Sequence, residues 1–496
     1  MTAPTFAERC GLHDAARAAA CAAVAQRIRD EGIERVRVAW CDLHGVLRGK
    51  TLVGDAMLDA LQSGVGMVST LMLKDTADRT AYRVFEAGLS DALPGFGQAN
   101  NLLLLPDPRT FRVLPWAPGT GWMQGQPWFD DCTPVSIDTR RVLQQALARL
   151  DEAGYAMRCG LEVEFHVYRI DRGVADPSLD PEQAAWPGEP PPLTMIHPGY
   201  NLLAEGWADM ADEPLAIIQR TAQGLGLPLR SLEIELGPSQ VEAVFDATDA
   251  LTAADQMVAF RNGVRQALRR AGYHASFICR PPFPNAMASG WHLHQSLVER
   301  ASGRNAFCRE APADGSGVLD AAHTLSEVGC RWLAGLLAHG RGMAVFCSPT
   351  INAFGRFRPN ALAPQSVLWG RDNRGAMLRV LGGAGDPATR IENRIGEPSA
   401  NPYLYIAAQI HAGLDGIARS LVPGPATLTP YGAATTMLPT DLAEALDALA
   451  ADRLLVAAFG PQLVDCLVRA KRSELARHDQ ADDREAWQRR EYFSRF

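Results

Sequence analysis

The chain has 496 residues, 47% hydrophobic and 21% charged, with a formal net charge of −8. This is an ordinary globular composition, long enough for a large core or two domains, and its negative balance argues against bulk nucleic-acid binding or an anionic membrane surface. The ten cysteines form no C-x-x-C pair, and neither a targeting segment nor a membrane-length apolar run is evident, so reduced thiols in a cytoplasmic protein are expected.

Residues 7–31 read as an amphipathic helix. Arg35–Cys41 alternates as a strand, and Leu43–Val53 continues through a glycine turn as the second arm of a hairpin. Residues 61–120 read as strand and loop, with a buried strand at Asn101–Leu105. The Gly- and Pro-rich stretch Trp116–Trp128 is expected to separate a small N-terminal domain, 1–120, from a larger one, 121–496. Ser136–Ala153 has helical periodicity, with Asp138 near its start and Gly154 past its end. Strands and helices then alternate: strands at Gly160–Arg169, Leu232–Leu236, Val241–Phe245, Ala275–Cys279, Gly290–Leu297, Met377–Leu381 and Arg390–Arg394; helices at Glu213–Gln223, Leu251–Ala271, Leu319–His339 and Leu404–Ile417. Leu442–Ala476 reads as helix, and the charged tail from Lys471 is expected to be exposed.

The strands carry a polar face. In GLEVEFHVY, Glu162 and Glu164 lie opposite Leu161, Val163 and Phe165, and His166 continues their side. In EIELGPSQVE, Glu235 and Glu242 bracket a Gly-Pro bend. In SGWHLHQS, His292, His294 and Ser296 share a face, and Gly290 permits close backbone approach. In TRIENRIGEPSANPYLY, Arg390, Glu392 and Arg394 alternate along one face before a rigid turn into a helix. Singly, each pattern also suits a solvated strand with surface ion pairs. Together they supply five carboxylates and an imidazole, a donor set for Mg²⁺ or Mn²⁺. Arg356, Arg374, Arg379, Arg390 and Arg394 are available to a transferring phosphate. No Walker-type loop is present.

In this order, the ExE of Glu162 and Glu164, GPSQVE, SGxHxHQS, the NR-x₄-R of Asn373–Arg379 and RIExR with its ANPYL exit resemble the glutamine synthetase superfamily, over about residues 35–470. The resemblance implies an α+β fold, with a small β-grasp-like N-terminal domain and a catalytic α/β domain built on a curved antiparallel sheet. It also implies a homo-oligomer of stacked rings with active sites between subunits. By the same resemblance, Glu164, Glu235 and Glu242 hold one metal, and Glu162, His292 and Glu392 a second. His294, Ser296 and Arg390 line ATP. Arg356 binds the glutamate carboxylate near Gly290. Arg374 and Arg379 neutralise the transferred γ-phosphate, and Arg394 the γ-glutamyl phosphate. The implied chemistry is glutamate and ATP giving γ-glutamyl phosphate, which an amine then attacks.

The departures concern the amine. Members that use ammonia carry an acidic loop where this chain has Gly66–Leu71, GMVSTL. They also carry a flap glutamate where this chain has Leu362. Met287-Ala288 replaces an Asn-Gly pair beside the glutamate site. The metal and phosphate residues are present and the ammonium carboxylates are not. The expected substrates are therefore glutamate and an organic amine, preferably a hydrophobic or aromatic monoamine; an arylamine arrives uncharged and needs no base, whereas an alkylamine must first lose a proton. A polyamine ligase would need acids elsewhere, with Asp75, Asp78 and Glu86 as candidates. A non-catalytic member would have lost metal ligands.

Overall fold

Two sheets organise the chain, and the longest strand of the second carries the first metal-type carboxylates. The computed structural model describes residues 3–86, 88–171, 173, 176–182, 184–358, 362–432 and 436–496. The first sheet comprises β1 (Arg35–Cys41), β2 (Leu47–Val53), β3 (Val65–Val68), β4 (Asn101–Pro106), β5 (Arg112–Val113) and β6 (Thr120–Trp128), in the order β2-β1-β6-β4-β3 with β5 on β6. The expected hairpin is β1–β2, paired from Arg35↔Val53 to Cys41↔Leu47. Its turn needs Gly45, which has φ +80°, and a Cβ there would stand 2.6 Å from Arg261 Nη2.

The second sheet comprises β7 (Tyr155–Ile170), β8 (Leu193–Met195), β9 (Leu229–Ile234), β10 (Gln240–Asp249), β11 (Tyr273–Ser276), β12 (Trp291–Glu299), β13 (Trp369–Arg371), β14 (Leu378–Leu381) and β15 (Arg390–Asn393). Its order is β13-β14-β15-β12-β7-β10-β9, with β8 and β11 also on β7. All pairs are antiparallel except β13–β14, so the sheet is the expected curved antiparallel one. Leu161, Val163 and Phe165 point from β7 into the core. Helix Pro402–Ala418 packs on β12, with Gln295 Nε2 donating to Gln409 Oε1 at 3.1 Å, and most of its residues are buried, which is why its sequence is apolar nearly all round.

The ANPYL exit joins the two sheets. Asn401 caps that helix by accepting from the Tyr403 and Leu404 N–H groups, while its Nδ2 donates to Asp42 O at 2.9 Å. Tyr403 Oη lies 2.7 Å from both Gln124 Oε1, on β6, and Asp255 Oδ1. Pro402 occupies the first helical turn, where its missing N–H costs nothing.

Several expectations need correction. The helix expected over 7–31 is two helices, Phe6–Arg9 and Ala15–Asp30, because Asp14 caps a new start by accepting from Arg17 N–H. A helix, Ala56–Ser63, enters the region read as strand and loop. Thr120–Trp128, within the expected boundary, is instead an internal strand of the first sheet. The helix expected from Leu319 starts at Glu327, after a short 3₁₀ turn. Leu442–Ala476 divides at Asp452 and at Gly460-Pro461, where a cap and a proline restart the helix. The tail after Lys471 is only partly exposed. Lys471 pairs with Glu474 at 3.0 Å, Arg477 with Glu491 at 2.7 Å, and Tyr492, Phe493 and Phe496 are buried. Charge alone cannot reveal such internal pairing. No helix of the described residues is long and apolar enough to cross a membrane, and all ten cysteines are free.

Candidate active site

Strand register gathers the polar face. His292 on β12 stands opposite Glu162 on β7, and Glu164 on β7 opposite Glu242 on β10. On the other side, Glu392 on β15 is opposite His294 on β12 and Arg379 on β14. Five adjacent strands thus contribute one patch. Glu235 joins it from just beyond β9, where its N–H donates to Gln240 O at 3.0 Å across the Gly-Pro bend. His166 departs from the reading: it is buried in the core beside Ser289, and burial followed by the His197 ring pushes its pKa down to about 3.

Two expected ligand sets lie in this patch, where, among the described residues, the groups with ligand atoms within 4.8 Å of one another are Glu164, Glu235 and Glu242, then Glu162, Glu242 and His292, then Glu162, His294 and Glu392. Glu164, Glu235 and Glu242 bring carboxylate oxygens within 4.8 Å of one another. Burial, then the Glu164 charge, pushes Glu235 up to about 7 and Glu242 to about 10. Glu164 cannot retreat, since Gly290 N–H donates to its Oε2 at 2.8 Å and Gln240 Nε2 at 3.2 Å. Three carboxylates so held, with no arginine or lysine paired to them among the described residues, have the donor chemistry that suits a divalent ion.

The second group is Glu162, His292 and Glu392. His292 Nδ1 lies 3.6 Å from Glu162 and 3.8 Å from Glu392. Those separations are too long for hydrogen bonds and suit ligands of a shared ion at about 2.1 Å each. Burial opposes the charge on Glu162, yet the adjoining His292 and His294 rings hold it well below the usual carboxylate range. Glu392 is fully buried and likewise held down, against burial, by Arg394 first and then by His292 and His294.

His294 also lies near Glu162 and Glu392 and could complete that set instead. Its tautomer argues otherwise. Arg390 Nε–H donates to His294 Nδ1 at 3.0 Å, so the ring proton sits on Nε2, which faces Glu162 at 2.9 Å. With Nδ1 occupied by Arg390, His294 is the poorer ligand of the two imidazoles. The sequence shows both residues but not this direction of donation.

The arginines differ in what they already touch. Arg379 donates to Glu392 at 3.0 Å and to Asp372. Arg394 pairs with Glu392 and donates from Nε to Arg374 O at 3.0 Å. Arg374 is exposed, with no side-chain partner among the described residues. Arg356 is buried: its Nη1 donates to Arg394 O and Gly396 O, and Nη2 lies 3.4 Å from His292 Nε2. A Cβ on Gly290 would stand 2.4 Å from that Nη2, so glycine is required there. Asp372 braces Arg379, and Gln240, itself held by Ser289, braces Glu164; Gln240 and Ser289 lie within GPSQVE and SGWHLHQS, but the motifs alone do not show these contacts.

His294, Ser296 and Arg390 line one wall of a cavity of about 1180 Å³, which also takes in Glu162, Arg158, Arg230 and Arg309. Such a volume accommodates a nucleotide. Leu362 lies at the opposite side of the patch: its carbonyl accepts from Arg394 Nη2 at 3.4 Å, and its side chain is 59% exposed. Of the expected flap Asn360–Pro364, Asn360 and Ala361 lie outside the described residues. Met287 packs over Gly237, and Ala288 O accepts from Gln240 Nε2 at 3.3 Å.

Comparison with known proteins agrees with this geometry. Residues 136–492 match the family described as glutamine synthetase, catalytic domain. A γ-glutamylanilide synthase of an Acinetobacter species is 38% identical over 480 residues, 93% of each chain. A γ-glutamylethanolamide synthetase of Streptomyces coelicolor is 31% identical over 472 residues, also 93% of each. A ligand-free structure of a protein named GmaS superposes with a TM-score of 0.74 at 28% identity, covering 94% of this chain and 98% of that one.

Proposed function

The chain belongs to the glutamine synthetase family, and from that premise we propose that it ligates the γ-carboxylate of glutamate to an organic amine at the expense of ATP, with an aromatic or hydrophobic monoamine as acceptor. The observation that carries this reading is the pairing of a complete carboxylate, histidine and arginine set with an exposed leucine, Leu362, where an ammonia site would need a carboxylate. The anilide, ethanolamide and isopropylamine named for relatives all favour an organic amine over ammonia.

In this reading Glu164, Glu235 and Glu242 bind one divalent ion, Mg²⁺ or Mn²⁺, and Glu162, His292 and Glu392 a second. Bound there, such ions neutralise phosphate oxygens. His294, Ser296 and Arg390 line the nucleotide, for which the ADP complex of GmaS is a parallel. Arg356 holds the glutamate α-carboxylate close to Gly290. Arg374, the unpaired cation, meets the transferred γ-phosphoryl group, while Arg379 and Arg394, already braced by Glu392, bear on the developing γ-glutamyl phosphate. The amine nitrogen then attacks the acyl carbon and phosphate leaves. An arylamine is neutral at pH 7, so no base is required before attack.

A polyamine acceptor is less favoured. Asp75 already pairs with Arg477 at 3.2 Å, Asp78 with Arg48 at 2.7 Å and Glu86 with Arg83 at 3.2 Å. We place the division between the smaller N-terminal part and the catalytic part after Trp128, where the first sheet ends. A cytoplasmic homo-oligomer of stacked rings belongs to the same proposal. It would give the exposed Tyr200, Leu202, Leu203 and Met210 a neighbour and let Gly66–Leu73, on the edge of the first sheet, meet Leu362 across a subunit boundary.

The test is glutamate- and ATP-dependent phosphate release with aniline, isopropylamine, ethanolamine, putrescine and ammonium, repeated with Leu362→Glu. Aniline or isopropylamine should lead for the wild type, and the variant should shift toward ammonium. Ammonium or putrescine leading in the wild type would refute the acceptor class.

A further inference from the structure

Leu362 holds a backbone conformation that leucine avoids. Its φ is +52°, in the left-handed region where Cβ crowds the backbone. A non-glycine residue stays there only when its surroundings over-determine it. Two side chains do so by gripping consecutive carbonyls. Arg394 Nη2 donates to Leu362 O at 3.4 Å, and the Tyr431 hydroxyl donates to Ala363 O at 3.3 Å. Arg394 is itself fixed by Glu392 and by Arg374 O.

Tyr431 reaches this point from 68 residues further along the chain. Its loop is laid against β13: Thr427 N–H donates to Trp369 O at 2.9 Å, and Trp369 Nε1 to Gly424 O at 2.7 Å. The approach is close. A Cβ on Gly375 would stand 2.6 Å from Pro430 Cγ and 3.1 Å from Tyr431 Cζ, so the glycine after Arg374 admits the ring. Burial pushes the phenol pKa up, and the Arg394 and Arg356 guanidiniums, near enough to act on it, oppose that rise.

We propose that Tyr431 is a positioning residue for the acceptor amine: with Arg394, its hydroxyl pins the Leu362–Ala363 carbonyls and sets where Leu362 stands beside the site. Its premise is the reading above, in which Leu362 belongs to the amine site. Tyr431 then governs amine selectivity without touching the ATP or metal residues.

Tyr431→Phe deletes one hydroxyl and leaves the ring packed on Gly375. With aniline as the probe, KM for the amine should rise about three- to tenfold, as expected for one lost hydrogen bond, while KM for ATP stays within about twofold. In a Leu362→Gly background, where glycine adopts positive φ unaided, the same substitution should add little. Amide hydrogen exchange across Leu362–Ser366 should quicken in Tyr431→Phe, a readout that needs no turnover. Equal losses for ATP and aniline, an unchanged aniline KM, unchanged exchange, or the same factor in the Leu362→Gly background would each overturn the proposal. Should the wild-type enzyme ligate no amine, the premise fails on its own evidence, whatever the exchange rates, and takes the proposal with it.

Discussion

Replacing Glu392 with glutamine removes one charge and almost no volume, and its consequences are calculable. The carboxylate is fully buried between Arg379, at 3.0 Å, and Arg394, with His292 Nδ1 3.8 Å away. Loss of its charge leaves two guanidiniums side by side, each deprived of its shared partner. Breaking a buried pair in this way costs about 3–5 kcal/mol. In a chain of this size each kcal/mol lowers Tm by about 1–2 °C, so the variant should melt roughly 3–10 °C below the wild type. Catalysis should suffer more. Glu392 is the ligand that links the proposed second ion to both phosphate-facing arginines, and its loss should lower ATP-dependent phosphate release by at least about 100-fold. Calorimetry and a coupled phosphate assay with glutamate and aniline read the two effects separately. Turnover within about threefold of wild type would refute the metal role, and an unchanged Tm would refute the claim that Glu392 restrains the two arginines.

Other perturbations probe other parts of the site. Gly290→Ala would set a methyl 2.4 Å from Arg356 Nη2 and 2.9 Å from His292 Nε2, and Arg356 is tethered through Nη1. Glutamate KM should rise about tenfold or more; a value within twofold of wild type would remove Arg356 from glutamate binding. Because burial and Glu164 raise Glu235 to about 7 and Glu242 to about 10, binding of Mg²⁺ or Mn²⁺ at pH 7 should release protons, seen as a heat that varies with buffer ionisation enthalpy. A buffer-independent heat would contradict the assignment. His339 lies between Asp452 at 2.7 Å and Asp415 at 3.0 Å; burial opposes its protonation, but the two carboxylates outweigh it and raise its pKa. The folded value exceeds the unfolded one, so this stabilisation is complete below about pH 6.5 and fades as pH rises through the folded value. Tm should fall over that alkaline interval, and His339→Asn should flatten the fall; an equal slope in the variant would exclude His339.

Strand periodicity was enough to put Glu162 with Glu164, His292 with His294 and Glu392 between two arginines, because alternation on a strand is local and leaves few choices. The rigid turn into a helix was legible for the same reason, although the helix starts at Pro402, capped by Asn401, and not at Leu404. What the sequence could not contain was register. Which residue of β12 stands opposite Glu162, and which of β14 opposite Glu392, depends on how strands distant in the chain slide past one another. Hence strand alternation put His292 and His294 on one face and only the resemblance separated their roles; the structure shows His292 facing Glu162, Glu164 and Glu392 while the Nδ1 of His294 is taken by Arg390. The buried tail was missed on similar grounds, since Lys471, Glu474, Arg477 and Glu491 read as solvated until packing pairs them off. Tyr431 makes the point most plainly. It belongs to no motif and matters only because the chain returns, after 68 residues, to bring its hydroxyl to Ala363 O. Local patterning therefore determined the chemistry available to this protein, and tertiary packing decided which atoms remain free to perform it.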